Sequence, residues 1–398
     1  MTFSKRMTIA IATAAVLLNA VAPLAGADTI TVSGNGEGSS THVNVDTNTT
    51  TQVNQSNDAN ISNHVNSTAS SGGNSSNGNT GGSSNITTGN ATTNTSVTNV
   101  ANLNSANVTD TGDNGSTDVN VTGNESGSKN IANVNNTNTV FVNQTNDANI
   151  HNSVDGDAST GGNHASGNTH GDTNVTTGNA NTTVNVGNAV NANIASVTNG
   201  GTGNTSVTIA DNGKHSANVV GLDQYSSVVL GQDNDAHIGN FVDADATSGD
   251  NSANSNTHGK TTVTTGNATT NDTVDNAANF NAADPDGDYV TGGVSVDVNT
   301  NGRDSWNSVY ADTNDVIAPT QKNDQGFWND VSGDATTGMN SAHGHKGGSS
   351  TVTTQNGSST NTVNNAGNVN TVGSLGSYTI GTTFDFSGLL GFLNGLTL

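Results

Sequence analysis

Cysteine is absent from the 398-residue sequence, and proline occurs three times, at Pro23, Pro285 and Pro319. Without cysteine, the chain has neither disulfide bonds nor thiolate metal ligands, and no lipid can be attached to a cysteine behind a leader segment. The scarcity of proline leaves long stretches in which each backbone N–H can join a β-ladder. Order must therefore come from backbone hydrogen bonds and from packing.

Large apolar side chains are also scarce, since 30% of the residues are hydrophobic and 4% are aromatic. Asn, Thr, Gly and Ser dominate instead. A core of large side chains cannot be assembled from this composition. Two classes remain, a disordered low-complexity chain and a repetitive β-structure that satisfies its backbone by stacking.

Basic residues number 8 against 32 acidic ones, which gives a formal net charge of -24. Nucleic acid is excluded as a partner, because binding it needs clustered Lys and Arg that displace counterions. The acidic residues are spread thinly along the chain. They suit a soluble surface that repels itself until cations screen it.

The first residues predict export. Lys5 and Arg6 precede an apolar run from Met7 to Ala22, and the small residues Ala25, Gly26 and Ala27 follow. This order is typical of a secretory signal peptide, here residues 1–27, and it predicts a secreted protein of the extracellular space or cell surface. The apolar run is interrupted at Asn19 and Pro23, short of the roughly 20 residues of a spanning helix, and no later segment could span a bilayer.

Two short strings recur in step along the rest of the chain. Gln-x-Asn-Asp-Ala begins at residues 55, 144 and 232, and Thr-Gly-Asn-Ala begins at residues 88, 177 and 265, with weaker copies at 321 and 354. Both return after 88 or 89 residues. They predict four tandem units, 28–116, 117–204, 205–293 and 294–378, followed by an apolar segment at 379–398.

Within the units, small or β-branched residues alternate with polar ones. One run keeps a period of two at eight positions from Ala180 to Ile194, which is the period of a strand. Strings rich in Gly and Asn beginning at residues 71, 160 and 248 predict turns. The predicted fold is all-β, an elongated parallel β-solenoid of tandem repeats. A finer Asn-x-Ala spacing of 16 or 17 residues predicts short coils, about five to a unit.

Four asparagines favour the solenoid. Asn63, Asn152, Asn240 and Asn329 fall on the same strand face as the apolar residues two positions before them. Buried in a globular core they would be unpaired amides, but in stacked coils successive amides can bond along the stack. The alternative, tandem immunoglobulin-like β-sandwiches of about 90 residues, matches the repeat length but lacks the large side chains of such a core.

The Gln-x-Asn-Asp-Ala and Asn-x-Ala strings resemble the curlin-type repeats of bacterial functional-amyloid subunits. The chain is also similar to Asn-, Thr- and Gly-rich repeat proteins of bacterial surfaces. Curlin-type units are shorter and usually close each strand pair with Gln, which is sparse here. The resemblance implies a self-associating extracellular fibre or matrix component. The alternative is a cell-surface adhesin or ligand-binding repeat protein, with surface proteins or polysaccharide as its partners.

Two sets of residues suggest metal ligands. Asp284, Asp286 and Asp288 alternate on a Gly-containing loop, as calcium ligands do, although Tyr289 follows and no acidic residue closes the shell. The alternative is an acidic turn between units. His343 and His345, with His170 and His258 at matching positions of their units, are better explained as loop histidines, because no ligand partner recurs beside them.

No motif fixes a nucleophile beside a base, so we expect a protein that is not an enzyme and has no cofactor other than calcium. The C-terminal segment differs from the repeats, because Phe386, Leu389, Leu390 and Leu393 follow helical spacing. It predicts either a cap on the open end of the solenoid or a docking segment.

Overall fold

The protein is described by a computed structural model over residues 3–21, 29–78, 80–110, 117–166, 169–199, 204–254, 257–285, 293–343 and 346–373. Among these residues the regular elements are strands, and no helix occurs. The first strand, β1, spans Phe3–Val21. Each unit then contributes five strands, and we call each set of five a coil.

Coil 1 contains β2 Thr29–Ser33, β3 Ser40–Ser70, β4 Ser75–Asn77, β5 Ser84–Thr87 and β6 Ala91–Asp110. Coil 2 contains β7 Thr117–Thr122, β8 Lys129–Ser159, β9 His164–Ser166, β10 Thr173–Thr176 and β11 Ala180–Asn199. Coil 3 contains β12 Thr205–Ala210, β13 Ala217–Thr247, β14 Ser252–Asn254, β15 Lys260–Thr264 and β16 Ala268–Pro285. Coil 4 contains β17 Val294–Asn299, β18 Trp306–Thr336, β19 Ser341–His343, β20 Ser349–Thr353 and β21 Gly357–Val372.

Each strand pairs in parallel with its equivalent in the next coil. The longest sheet has the order β18-β13-β8-β3, and the second longest has the order β1-β6-β11-β16-β21. The 31 residues of β13 pair one to one with those of β8 and of β18. The predicted all-β parallel solenoid is therefore confirmed, and tandem sandwiches are excluded because every sheet extends through all four units.

The predicted short coils are wrong, since one coil takes a whole unit. Asn130-Ile131-Ala132 and Asn146-Asp147-Ala148, two of the strings that suggested a 16-residue step, lie on the single strand β8. Stacking instead follows the 88- or 89-residue period, because only at that spacing do identical side chains meet along a whole strand.

A coil is thin and long. The 31-residue strand β3 would extend for about 100 Å at the usual rise of a strand. It faces β2 and β6 across a narrow interior, where Val43 packs with Val32 and Val65 packs with Val97. Two layers of small and β-branched side chains are enough to fill this space, which explains how a sequence so poor in large apolar residues can be ordered.

Glycines form the corner after each long strand, in the turns that the sequence predicts. Gly72 lies over Gly161, and Gly161 lies over Gly249, so close that a Cβ atom on either would overlap the carbonyl oxygen of the next glycine. The following asparagines bond in a row, with Asn163 Nδ2 donating to Asn251 Oδ1 at 2.8 Å. The corners of coils 1 to 3 therefore tolerate no side chain at the glycine position, whereas Gly338 in coil 4 has open space beside it.

A column of asparagines interrupts the shorter layer. Asn191 has a φ of 61°, and Asn102, Asn279 and Asn368 share this left-handed conformation, which Asn adopts more readily than most residues. Val190 and Ala192 pair with β6 in the ladder, whereas Asn191 is joined to Asn102 through its side chain, so all strands kink at the same place and keep their register. We call this kink the bulge. The predicted eight-position alternation is wrong at its last two positions, because the bulge turns Ala192 and Ile194 away from the interior.

A substitution at the corner tests whether the glycines are needed for the close approach of successive coils or only for the flexibility of the loop. We expect Gly161→Ala to lower the midpoint of thermal unfolding, because the added methyl group would overlap the Gly249 carbonyl and cost about 1–3 kcal/mol of the free energy of unfolding. Gly82→Ala is the control, since a Cβ atom there meets nothing within 4 Å. Equal midpoints for the two variants would contradict the close corner.

Candidate assembly surface

The four asparagines that the sequence places on the inner face form one continuous row. Asn63 Nδ2 donates to Asn152 Oδ1 at 2.8 Å, Asn152 donates to Asn240 at 2.7 Å, and Asn240 donates to Asn329 at 2.7 Å. A second row in the opposite layer crosslinks the first, as when Asn63 Nδ2 donates to Asn99 Oδ1 at 2.9 Å. The buried amides are thus paired both along the stack and across it.

A row of glutamines has the opposite direction. Gln144 Nε2 donates to Gln55 Oε1 at 2.7 Å, Gln232 donates to Gln144 at 2.8 Å, and Gln321 donates to Gln232 at 2.7 Å. In the row of Asn63, Asn152, Asn240 and Asn329, which we call the Asn63 row, each side chain donates toward coil 4. In the glutamine row, which we call the Gln55 row, each side chain donates toward coil 1. The sequence marked these glutamines as repeat anchors but gave no sign that they pair with one another.

The edge of coil 4 is open. Four inward-facing positions that hold completely buried apolar residues in coil 3 hold valines in coil 4 that are 41–46% exposed. The exposed residues are Val296, Val298, Val352 and Val363. The predicted C-terminal cap or docking segment, residues 379–398, lies outside the described residues and stays a prediction.

Pro319 lies on that open edge. The backbone N–H of Trp306 donates to the Ser216 carbonyl at 2.8 Å, so alternate residues of β18 counted from Trp306 bond to coil 3. Pro319 pairs with the inward-facing Leu230. It comes an odd number of residues after Trp306, so it is not one of the residues whose backbone bonds to coil 3. Its nitrogen therefore faces away from coil 3, where a further coil would need an N–H donor.

The other end of the stack is partly occupied by β1. This strand pairs with β6 from Phe3 opposite Ala91 to Val21 opposite Thr109. The inward residues of β3 are buried from Val53 onward but half-buried before it. If residues 1–27 are removed, as the sequence predicts, the whole edge of coil 1 becomes open.

Aromatic side chains meet on the outer face of the long sheet. The Phe241 ring lies 4.8 Å from the Trp328 ring, edge to face, and 5.1 Å from the His151 ring. Gly239 lies between His151 and Trp328 in the same column, which leaves a shallow notch floored by backbone. Trp328 is 65% exposed, so the notch is open to solvent.

Carboxylates form a second outer feature. Asp155 pairs with Asp243, and Asp157 pairs with Asp245, on neighbouring strands of the long sheet. Burial, and then the neighbouring carboxylates, raise the pKa of Asp157 and Asp245 above the ordinary value. This face therefore repels an identical face unless cations screen it.

The predicted metal ligands are largely outside the described residues. Asp284 lies near the end of β16, but Asp286, Asp288, His345 and the side chain of His343 are not described. The His170 and His258 rings stack at 5.0 Å with an interplanar angle of 6°. Among described residues no group of three or more His, Asp or Glu gathers as metal ligands. Calcium binding stays a prediction.

Asp272 is a carboxylate within the interior. It is 1% exposed, and neither of its oxygens has a hydrogen-bond partner of good geometry. Burial raises its pKa from 3.8 to about 7, Asp243 adds to the shift, and the Val184 backbone opposes it. Its partners in the column, Val184 and Asn361, are uncharged, so the sequence around it did not mark it as unusual.

No protein-family model, curated protein sequence or solved structure matches this chain. None of the described residues belongs to a helix that is long and apolar enough to cross a membrane.

The Asn63 row should be essential to stability. We expect Asn152→Ala to lower the free energy of unfolding by several kcal/mol, because it leaves the amides of Asn63, Asn99 and Asn240 short of a partner at about 1–3 kcal/mol each. Asn149→Ala, on the exposed face of the same strand, is the matched control. Chemical denaturation of both variants gives the comparison, and an equal loss would refute the role of the row.

The stability of the protein should fall as the pH rises from about 4 to about 7, because the raised pKa of Asp272 makes the unfolded chain ionise first. Asp272→Asn removes this penalty. We expect it to raise the free energy of unfolding at pH 8 by up to about 4 kcal/mol and to have little effect at pH 4. Asp223→Asn, on the exposed face of β13, is the control. A benefit of Asp272→Asn that is the same at both pH values would contradict the assignment.

Proposed function

We propose that this protein is a secreted structural component of an extracellular fibre or matrix, and that its copies stack end to end. Coil 4 of one copy would continue into coil 1 of the next, with strands in the same parallel register. The observation that carries the proposal is the open edge of coil 4, where inward valines are 41–46% exposed although the equivalent residues of coil 3 are completely buried.

Ladder direction supports head-to-tail growth. Along the Asn63 row each Nδ2 donates toward coil 4 and each Oδ1 accepts from the side of coil 1. A second copy placed in the same orientation offers the acceptor that the row lacks at Asn329, whereas a reversed copy offers a second donor. In the Gln55 row each side chain donates toward coil 1, so here too a copy in the same orientation supplies the missing partner and a reversed copy does not.

Other features would set the rate of stacking. Removal of residues 1–27 would free β6 from β1, so that only the processed chain has an open first coil. Pro319 costs the junction one backbone hydrogen bond, which weakens stacking without preventing it. The acidic outer face opposes contact side by side until cations screen it.

A structural role, without catalysis, is supported by the repetition itself. The same inward side chains recur in four coils, and their amides bond to one another. Amides that bond to one another along a row hold the coils together, which suits a structural role. The sequence and its resemblance to curlin-type repeats lead to the same proposal.

A charge on the open edge should stop stacking. We expect Val363→Lys to abolish fibres of the chain beginning at Asp28, because inward-pointing charges on an edge strand oppose pairing. Thr362→Lys adds the same charge to the outer face of the same strand and should leave fibres intact. Electron microscopy and sedimentation, with calcium present, measure the result. Monomers of the parent chain at high concentration would refute the proposal.

The second candidate function is adhesion to polysaccharide, favoured by the notch at His151, Phe241 and Trp328. An exposed aromatic ring beside backbone and polar groups can stack on a sugar ring while neighbouring groups hydrogen-bond to it. The acidic surface around the notch disfavours an anionic polymer.

This candidate predicts a loss of binding on removal of one ring. We expect Trp328→Ala to release the protein from cellulose or chitin beads at least about tenfold more readily, since a stacked ring is worth about 1.4 kcal/mol or more. Trp306→Ala removes an equally exposed ring that is outside the aromatic cluster. If both variants are retained like the parent chain, the notch is not a sugar site.

A further inference from the structure

One apolar cluster lies on the face of its sheet that points away from the opposite layer. It contains Leu103, Ala192, Ala277, Phe280 and Ala282, with Ile194, Ala366 and Val369 packed against it. All of these residues belong to the sheet of β6, β11, β16 and β21. The other apolar clusters in the described part of the chain combine residues from strands that face each other. We call this set the outer patch.

The bulge explains the position of the outer patch. Ala101 and Ala106 of β6 pack against the long strands, whereas Leu103, just beyond the left-handed Asn102, does not. Phe280 holds the equivalent place in coil 3, beyond Asn279. The outer patch therefore points away from the interior of the solenoid.

The outer patch is nevertheless buried. Phe280 is 2% exposed and Leu103 is 3% exposed. For comparison, Phe141, on the outer face of the long sheet, is 41% exposed. The neighbours of Phe280 in its column are Ala192 and Val369, which are too small to enclose a phenyl ring from outside. A layer over the sheet must exclude the water.

We propose that residues 374–398, the C-terminal segment of this sequence, dock on the outer patch and form that layer. The segment is rich in large apolar side chains, among them Phe384, Phe386, Leu389, Leu390 and Leu393. It follows Gly373, which is four residues beyond Val369 of the outer patch. The apolar spacing of the segment provides one face to bury against the sheet.

The linkers between coils fit this role less well, although residues 286–292 include Tyr289 and Val290. Residues 111–116 and 200–203 contain no large apolar side chain and join the end of one coil to the start of the next. Leu103 lies seven residues before the end of β6, about 20 Å back along the strand. A linker tied at both ends cannot fold back that far and still reach the next coil.

The assignment gives the C-terminal segment a place on the side of the stack. It therefore closes neither end, which agrees with the exposed valines at the edge of coil 4. Removal of residues 374–398 should then leave end-to-end stacking intact. It should also promote association of solenoids side by side, because it exposes an apolar surface.

Cysteine labelling tests the docking, since the chain has no cysteine of its own. The probe is a maleimide on Ala192→Cys, in the full chain and in a chain that ends at Gly373. We expect labelling in the full chain to be at least about tenfold slower, the protection given by a segment docked nine-tenths of the time. Ala195→Cys, whose side chain faces the interior, should be protected in both chains.

Three outcomes would overturn the proposal. Equally fast labelling of Ala192→Cys in both chains would mean that nothing covers the outer patch. Equally slow labelling in both would assign the cover to another part of the chain. Protection that grows with protein concentration would assign it to a second copy. Circular dichroism of each variant checks that the β-structure is retained, so that a loss of protection reports on docking.

Discussion

Every sheet in this protein depends on one geometric condition, that equivalent residues of successive coils meet at the spacing of a β-ladder. The condition is satisfied by a translation of 88 or 89 residues, and each buried amide then finds its own kind above and below. In water an isolated asparagine gains little from a hydrogen bond, but inside a protein an unmade bond is costly. The amide rows therefore penalise any shift of register, and they specify the pairing as strictly as a large apolar core would.

The buried apolar residues and the buried amides have different roles in this fold. Small apolar residues such as Ala148, Ile150 and Val154 fill the gap between the layers, and the amides between them fix which coil lies over which. Contacts form between neighbouring coils, so stability should be close to a sum over coils and interfaces. Loss of a terminal coil would then be far less damaging than a defect in the middle of the stack.

Much of this architecture could be predicted from the sequence, because period-two alternation and recurring anchors are direct consequences of stacked strands. The length of the coil could not, since Asn130-Ile131-Ala132 and Asn146-Asp147-Ala148 look alike although they lie on one strand. The bulge was also invisible, because Asn191 differs from its many asparagine neighbours only in its φ angle. Asp272 has no local signature, since its burial depends on strands that are distant in sequence, such as that of Asp243, 29 residues before it. The position of Pro319 could have been found, because alignment of the repeats places it on the inward parity of Val53, Val142 and Leu230.

The one-to-one pairing of the 31-residue strands also has a mechanical consequence. Ladder hydrogen bonds in all sheets point along the stacking axis, so a pull along that axis loads them together and not one after another. Rupture between two coils would require many bonds to fail at once, whereas a pull on one corner would peel them in sequence. A filament built from such coils would be stiff under axial tension and weak against unzipping from an edge.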